Sequence, residues 1–170
     1  MLVMFLTQLD INIYAIKSSL QWGFFMKKLI LIMLFVGSSV FASTNDAEAI
    51  NKAKLSIASY NCYAFYNYLN KEKEAQEMFG LGYKSSIDFI SYLRTNRINE
   101  KLAYEHVPSI YLMTSGPNAD FIAGQVFATV AQAAFDKIFK DSKLDFIYDE
   151  ELRKIKAQSL IRESNCELLK

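Results

Sequence analysis

Few side chains in this chain could perform nucleophilic or metal chemistry. His106 is the single histidine, and it precedes Val107-Pro108 in a segment that we interpret as a connector. A Ser-His-Asp or Cys-His site would have to use this residue. A zinc site would need several Cys or His ligands. We therefore interpret His106 as an ordinary loop histidine and predict neither a metal ion nor a cofactor.

Paired carboxylates are the remaining route to catalysis, because two well-placed acids can hydrolyse a glycosidic bond. The candidates are Glu72, Glu74, Glu77, Asp88, Glu100, Glu105 and Asp120. Nothing in their spacing selects a pair. Asp145, Asp149, Glu150 and Glu151 lack the spacing and the glycine of a calcium loop, and we interpret them as the solvated start of a helix. The sequence predicts a non-enzymatic protein, with an envelope hydrolase as the alternative.

The two cysteines, Cys62 and Cys166, are the other reactive pair. A redox-active pair would more often form a C-x-x-C motif, which is absent here. Two thiols in an oxidising compartment most simply form one structural disulfide. We predict a disulfide between Cys62 and Cys166, with free or intermolecular thiols as the alternative.

A secretory signal peptide explains the segment from residue 26 to residue 42. Two lysines follow Met26, residues 29–36 are all apolar, and small residues lead up to Ala42. These are the three parts of a cleavable signal. A membrane-spanning helix needs about 20 apolar residues. The apolar run of residues 29–36 is shorter than that, because a Gly-Ser-Ser sequence follows it. We predict cleavage between Ala42 and Ser43, which leaves no stable membrane anchor.

The signal peptide also divides the chain into three parts. Residues 1–25 precede it without a helical or strand period. We expect translation to begin at Met26, and a long natural leader is the alternative. Residues 43–170 then form a single exported domain, in the periplasm or outside the cell.

Composition limits the partners and the architecture of this domain. Over the whole chain the 19 basic and 18 acidic side chains nearly balance, and removing Lys17, Lys27, Lys28 and Asp10 keeps residues 43–170 near neutral, which gives no electrostatic reason to bind nucleic acid or an anionic membrane. Glycine and proline are scarce, with 6 and 2 residues. Their scarcity favours long helices over turn-rich β structure.

Apolar residues that recur at three- and four-residue steps predict an all-α fold. The four main helices are expected at about residues 46–69, 72–95, 118–139 and 150–163. A short helix is expected to begin at Pro108, and one further turn is expected between residues 96 and 107. The predicted fold is a small helical bundle of four main helices plus one or two short ones, stapled by one disulfide.

Three further expectations concern packing. The alanine-rich helix at 118–139 should lie at the centre of the bundle, because small residues let helix axes approach closely. Gly80 and Gly82 should kink the second helix or admit a close neighbour. The residues expected to pack inward near the end of the chain are Leu144, Phe146, Ile147, Tyr148, Leu152, Ile155 and Leu160.

Aromatic residues crowd the first helix and are the main candidates for partner binding. They are Tyr60, Tyr63, Phe65, Tyr66 and Tyr68, and they surround most of the helix. One face cannot bury them all, and surplus exposed tyrosine is typical of recognition surfaces. We predict that most are core and that Tyr63 and Tyr66 face a partner.

The string from Gly116 to Phe121 is the second candidate for partner binding. As a surface loop it would present Asn118 and Asp120 to a partner. As pure structure it would be a turn and a helix cap, because each residue type has such a role. We favour the structural interpretation and keep partner binding by Asn118 and Asp120 as the alternative.

In layout alone the chain resembles small exported helical proteins with one disulfide, such as periplasmic immunity proteins that neutralise secreted amidases, or acid-stress chaperones. No residue string carries this resemblance to particular sites. We predict a non-catalytic protein that binds another protein, as an inhibitor or immunity factor. The alternatives are the envelope hydrolase and a structural or stress-related envelope component.

Overall fold

The computed structural model describes residues 44–95 and 98–169. The predicted upstream extension, the signal peptide and the cleavage site at Ala42 and Ser43 lie outside these residues. The described helices are α1 (Thr44–Tyr68), α2 (Glu72–Thr95), α3 (Glu100–His106), α4 (Ser109–Met113), α5 (Ala119–Phe139), α6 (Glu150–Glu163) and a 3₁₀ helix (Cys166–Leu168). The described part contains no β-strand and only one isolated β-bridge, between Lys140 and Phe146. The predicted all-α bundle is confirmed.

Polar residues define the ends of these helices. Asn70 ends α1 with a left-handed backbone, at a φ of 55°, and Asn118 caps α5 by accepting a hydrogen bond of 2.8 Å from the Phe121 backbone N–H. Asn99 caps α3 in the same way, which explains why α3 is a full helix rather than the single turn that we expected. Pro108 is the N-cap of α4 and not its first residue.

The central helix is α1, which packs against α2, α5, α6 and the 3₁₀ helix. The expectation that α5 would be central is wrong. Gly124, Ala128 and Ala133 of α5 are exposed, so part of its run of small residues faces solvent and does not bring helices together. The large buried side chains of α1, such as Tyr60 and Phe65, need neighbours on several sides, and this need places α1 in the middle.

The disulfide between Cys62 and Cys166 joins α1 to the 3₁₀ helix. Both residues are fully buried, and their Cα atoms are 5.6 Å apart, a normal separation for a disulfide. They lie in a core cluster with Phe65, Ile138 and Ile161. The predicted disulfide is confirmed, and the described residues contain no free cysteine.

The two glycines of α2 have different surroundings. The helix runs unbroken through both, so neither glycine ends it. A Cβ at Gly82 would lie 2.7 Å from ring carbons of Tyr60, whereas a Cβ at Gly80 would meet nothing within 4 Å. Close approach of a neighbour is therefore confirmed at Gly82 alone, where α1 and α2 meet.

The packing expected near the end of the chain is largely wrong. Leu144, Phe146, Tyr148, Leu152 and Ile155 are exposed, and only Ile147 and Leu160 are half-buried. The residues of α6 that are buried are Ala157 and Ile161. At about 100° per residue, a helix that turns these two inward must turn Leu152 and Ile155 outward.

None of the described helices combines the length and the apolar composition that a membrane span requires.

Candidate functional site

Aromatic side chains from three helices meet at one place on the surface. We define the aromatic surface by Tyr63 of α1, Phe79 and Tyr83 of α2, and Asp120 and Phe127 of α5. The ring centroids of Phe79 and Phe127 are 5.1 Å apart, as are those of Tyr63 and Phe127, and both pairs are edge-to-face. Tyr63 lies 5.9 Å from Phe79. These are the distances at which aromatic pairs stabilise one another.

The helices position these rings by simple spacing. Phe79 and Tyr83 are one turn apart on α2, and their rings stack at 6.1 Å. Beneath them the buried ring of Tyr60 lies 6.4 Å from Phe79 and 5.2 Å from Phe127. The rings are thus supported from below and from the side, so their orientations are fixed before any partner arrives.

The upper side of this cluster is open to solvent. Phe79 is 40% exposed and Tyr83 is 38% exposed, while Tyr63 and Phe127 are half-buried. Next to them, Gly80 and Gly124 are exposed, and a Cβ at either would meet nothing within 4 Å. The fold itself does not require glycine at these two positions. Because glycine has no side chain, Gly80 and Gly124 leave the solvent-facing side of the rings accessible.

Asp120 gives the aromatic surface its one charged group. The Tyr83 hydroxyl donates a hydrogen bond to Asp120 Oδ1, which raises the pKa of Tyr83 because the bond stabilises the protonated phenol. Asp120 also lies in the first turn of α5, where the helix dipole favours a negative charge. The carboxylate and the phenol therefore form a polar edge beside the rings.

The structure brings together two of the four predicted partner-binding residues. Tyr63 and Asp120 both belong to the aromatic surface. Asn118 is exposed, but its side-chain oxygen caps α5. Tyr66 is buried in the core cluster around the disulfide, and Lys71 lies over its ring at 5.8 Å. The expectation that Tyr66 is exposed to a partner is wrong.

Sequence reasoning did not single out Phe79, Tyr83 and Phe127, because each recurs at helical spacing with other apolar residues, a pattern that is typical of core positions. The true inward face of α2 includes Gly82, Ser85 and Ser86. Three small residues at helical spacing were the signal that α2 packs closely by another side. Because α2 packs against α1 through these small residues, Phe79 and Tyr83 lie at the side of α2 that faces solvent.

Two of the candidates for catalysis, His106 and Asp88, each lie beside a residue that can carry the opposite charge. His106 is exposed and lies 3.9 Å from Glu105. A surface depression between α1 and α2 contains Glu48 and Asp88, but Lys52 lies 3.5 Å from Asp88. This is the arrangement of an exposed ion pair. In residues 44–95 and 98–169, no three His, Cys, Asp or Glu side chains are grouped so that they could hold a metal ion.

Comparison of the chain with models of protein families, with curated proteins and with solved structures finds no match. The case for function therefore depends on the aromatic surface and on the chemistry of its residues.

Proposed function

We propose that this is an exported, non-catalytic helical protein that binds another protein, as an inhibitor or immunity factor. The observation that carries the proposal is the aromatic surface. Exposed clusters of tyrosine and phenylalanine beside a fixed polar group are characteristic of the centres of protein interfaces. Tyr63 and Asp120, the two surface residues that the sequence also indicated, lie within it.

Covering the exposed rings with a partner would contribute favourably to the free energy of binding. An aromatic side chain buries about 150–250 Å² when it is fully covered. Covering the exposed two-fifths of Phe79 would therefore contribute roughly 2 kcal/mol at about 25 cal/mol/Å², and Tyr83 would contribute a similar amount. Because neighbouring rings already hold these side chains, a partner would pay little conformational entropy to order them.

The buried disulfide supports the proposed location. Disulfides persist in the periplasm and outside the cell, and they are rare in the reducing cytosol. Together with the signal-like sequence of residues 26–42, the bond between Cys62 and Cys166 supports export. Mass spectrometry of the protein that cells accumulate should find Ser43 at its N-terminus. Retention of residues 29–36 would contradict the proposed cleavage.

A capture experiment with matched variants tests the binding proposal. The double variant Phe79→Ser, Tyr83→Ser removes the exposed rings, and Tyr104→Ser is the control because Tyr104 is an exposed tyrosine that makes none of the aromatic contacts of the surface. We expect the wild-type protein and the control to recover the same stoichiometric partner from an envelope extract, and the double variant to lose it.

Circular dichroism and thermal unfolding must show that the double variant stays folded. Equal capture by a folded double variant would refute the aromatic surface as the binding site. Recovery of no stoichiometric partner under several growth conditions would refute the proposed function itself.

A further inference from the structure

The carboxylate of Asp120 is the one charge on the aromatic surface. Its Oδ1 atom accepts a hydrogen bond from the Tyr83 hydroxyl, which is a neutral group. Among residues 44–95 and 98–169, no lysine, arginine or histidine forms an ion pair with Asp120. Asp120 is also exposed, so a partner can reach its charge.

Two cations of α2 are candidates to neutralise Asp120, and neither does. Lys84 follows Tyr83 and is exposed, but it projects about 100° further around the helix than Tyr83. Arg94 lies roughly 16 Å farther along α2 than Tyr83, at about 1.5 Å per residue, and donates a hydrogen bond of 3.2 Å to the Gly116 carbonyl. Within the described residues, the negative edge of the aromatic surface is therefore left for a partner to compensate.

The aromatic rings favour the same sign of partner charge as the carboxylate. The face of a phenylalanine or tyrosine ring attracts a cation, and the attraction grows when water is excluded. The rings of Phe79 and Tyr83 are nearly parallel, at 16°, so a flat cation that stacks on one ring is also aligned with the other. Beside them, Gly80 and Gly124 leave open space that other residue types would fill.

Arginine suits these features better than lysine. Its guanidinium group is planar and weakly hydrated, stacks on aromatic rings, and can donate two parallel hydrogen bonds to a carboxylate. The lysine ammonium group is a compact and strongly hydrated point charge. An acidic or phosphorylated group is disfavoured, because both Asp120 and the faces of the rings would repel it.

We propose that the aromatic surface is an arginine-binding site for the partner protein, an inference that rests on the protein-binding function proposed above. The partner's guanidinium group lies over the rings of Phe79 and Tyr83 and donates hydrogen bonds to Asp120. Apolar residues next to that arginine cover Tyr63 and Phe127. The rings then supply most of the contact area, and Asp120 determines which partner binds.

Peptides selected from a random phage-displayed library on the intact protein provide a defined probe. We expect the selected peptides to be enriched in arginine next to apolar residues. Replacing that arginine with citrulline, which has a similar shape but no charge, should weaken binding by about 10-fold or more. Asp120→Asn should weaken it to a similar extent, because asparagine keeps an oxygen for the Tyr83 hydroxyl and removes only the charge.

Glu100→Gln is the matched control for Asp120→Asn. It removes one exposed acidic charge from the first turn of another helix, α3, so net charge and helix dipole change in the same way. Peptide binding should be unchanged in this variant. Circular dichroism should show that both variants are folded.

Combining the two changes tests whether the arginine contacts Asp120. The citrulline peptide and Asp120→Asn remove the same ion pair, so together they should weaken binding little more than either alone. Losses that multiply would overturn the arginine site. So would peptides that require Phe79 and Tyr83 but no arginine, although the proposed protein-binding function would then stand. A selection whose peptides bind Phe79→Ser, Tyr83→Ser as well as the wild type would contradict both proposals.

Discussion

The strongest prediction about stability concerns the hydroxyl group of Tyr111. It donates a hydrogen bond of 2.7 Å to Ser86 Oγ and shares a second, of 2.5 Å, with Ser56 Oγ. Both serines are fully buried. In Tyr111→Phe, Ser56 can still donate to the Ala53 carbonyl, but both serines lose their hydrogen bonds to the phenol. Losing both hydrogen bonds should cost about 1–3 kcal/mol in the free energy of unfolding.

Tyr60→Phe is a matched control within the same core. The Tyr60 hydroxyl is buried and makes no hydrogen bond of normal geometry. Its removal should therefore leave the free energy of unfolding within about 0.5 kcal/mol of the wild type, or increase it.

Urea unfolding with the disulfide intact measures both effects. At a slope of about 2 kcal/mol/M, Tyr111→Phe should lower the midpoint by about 1 M, with no change of slope. Equal stability of Tyr111→Phe and Tyr60→Phe would refute the argument, because the two substitutions remove the same atom and differ only in its hydrogen bonds.

Three further predictions concern stability. Gly82→Ala should destabilise the protein by about 1–3 kcal/mol, because the new Cβ would lie 2.7 Å from a tyrosine ring. Gly80→Ala should stabilise the protein by about 0.5–1 kcal/mol. Thermal unfolding should therefore shift in opposite directions for the two variants. Replacing Cys62 and Cys166 with alanine opens a loop of 104 residues and should cost about 2–5 kcal/mol in denaturant unfolding. Burial raises the pKa of Tyr60 and of Tyr111 above the ordinary value of 10.0. The folded state holds these protons more tightly, so the contribution of the two tyrosines to stability should be constant below pH 10. Above that pH, stability should fall by up to about 1.4 kcal/mol per pH unit for each tyrosine. Unfolding midpoints at alkaline pH should follow that slope, and a flat alkaline profile would contradict it.

Helix positions were predictable from sequence because period and capping agree at each end. The expected bounds of α2 and α6 match the structure, and Asn118 begins α5 as its residue type suggests. The disulfide followed from the number of cysteines and the inferred compartment. The helix bounds depend on local sequence, and two cysteines allow only one intramolecular pairing. No tertiary information was therefore needed to predict these features.

The orientation of the helices was harder to predict, because it depends on which face packs best against a neighbour. On α6, Ala157 and Ile161 are inward and Leu152 is outward, although leucine is larger than alanine. On α2, Gly82 and the two buried serines admit α1 more closely than the aromatic stripe would. In both helices the small residues determine which face packs inward. The periodicity of the apolar residues does not indicate that face. The aromatic surface was missed for the same reason.

The central position of α1 also has an evolutionary consequence. Its buried side chains, such as Tyr60 and Phe65, meet neighbours on several sides, so homologues should conserve their volumes for the sake of folding. Phe79 and Tyr83 are under no such demand, since solvent covers much of each ring. Aromatic residues retained at these two positions among diverging homologues would therefore reflect selection for a shared partner. Covariation of these positions with a protein from the same genome would identify that partner.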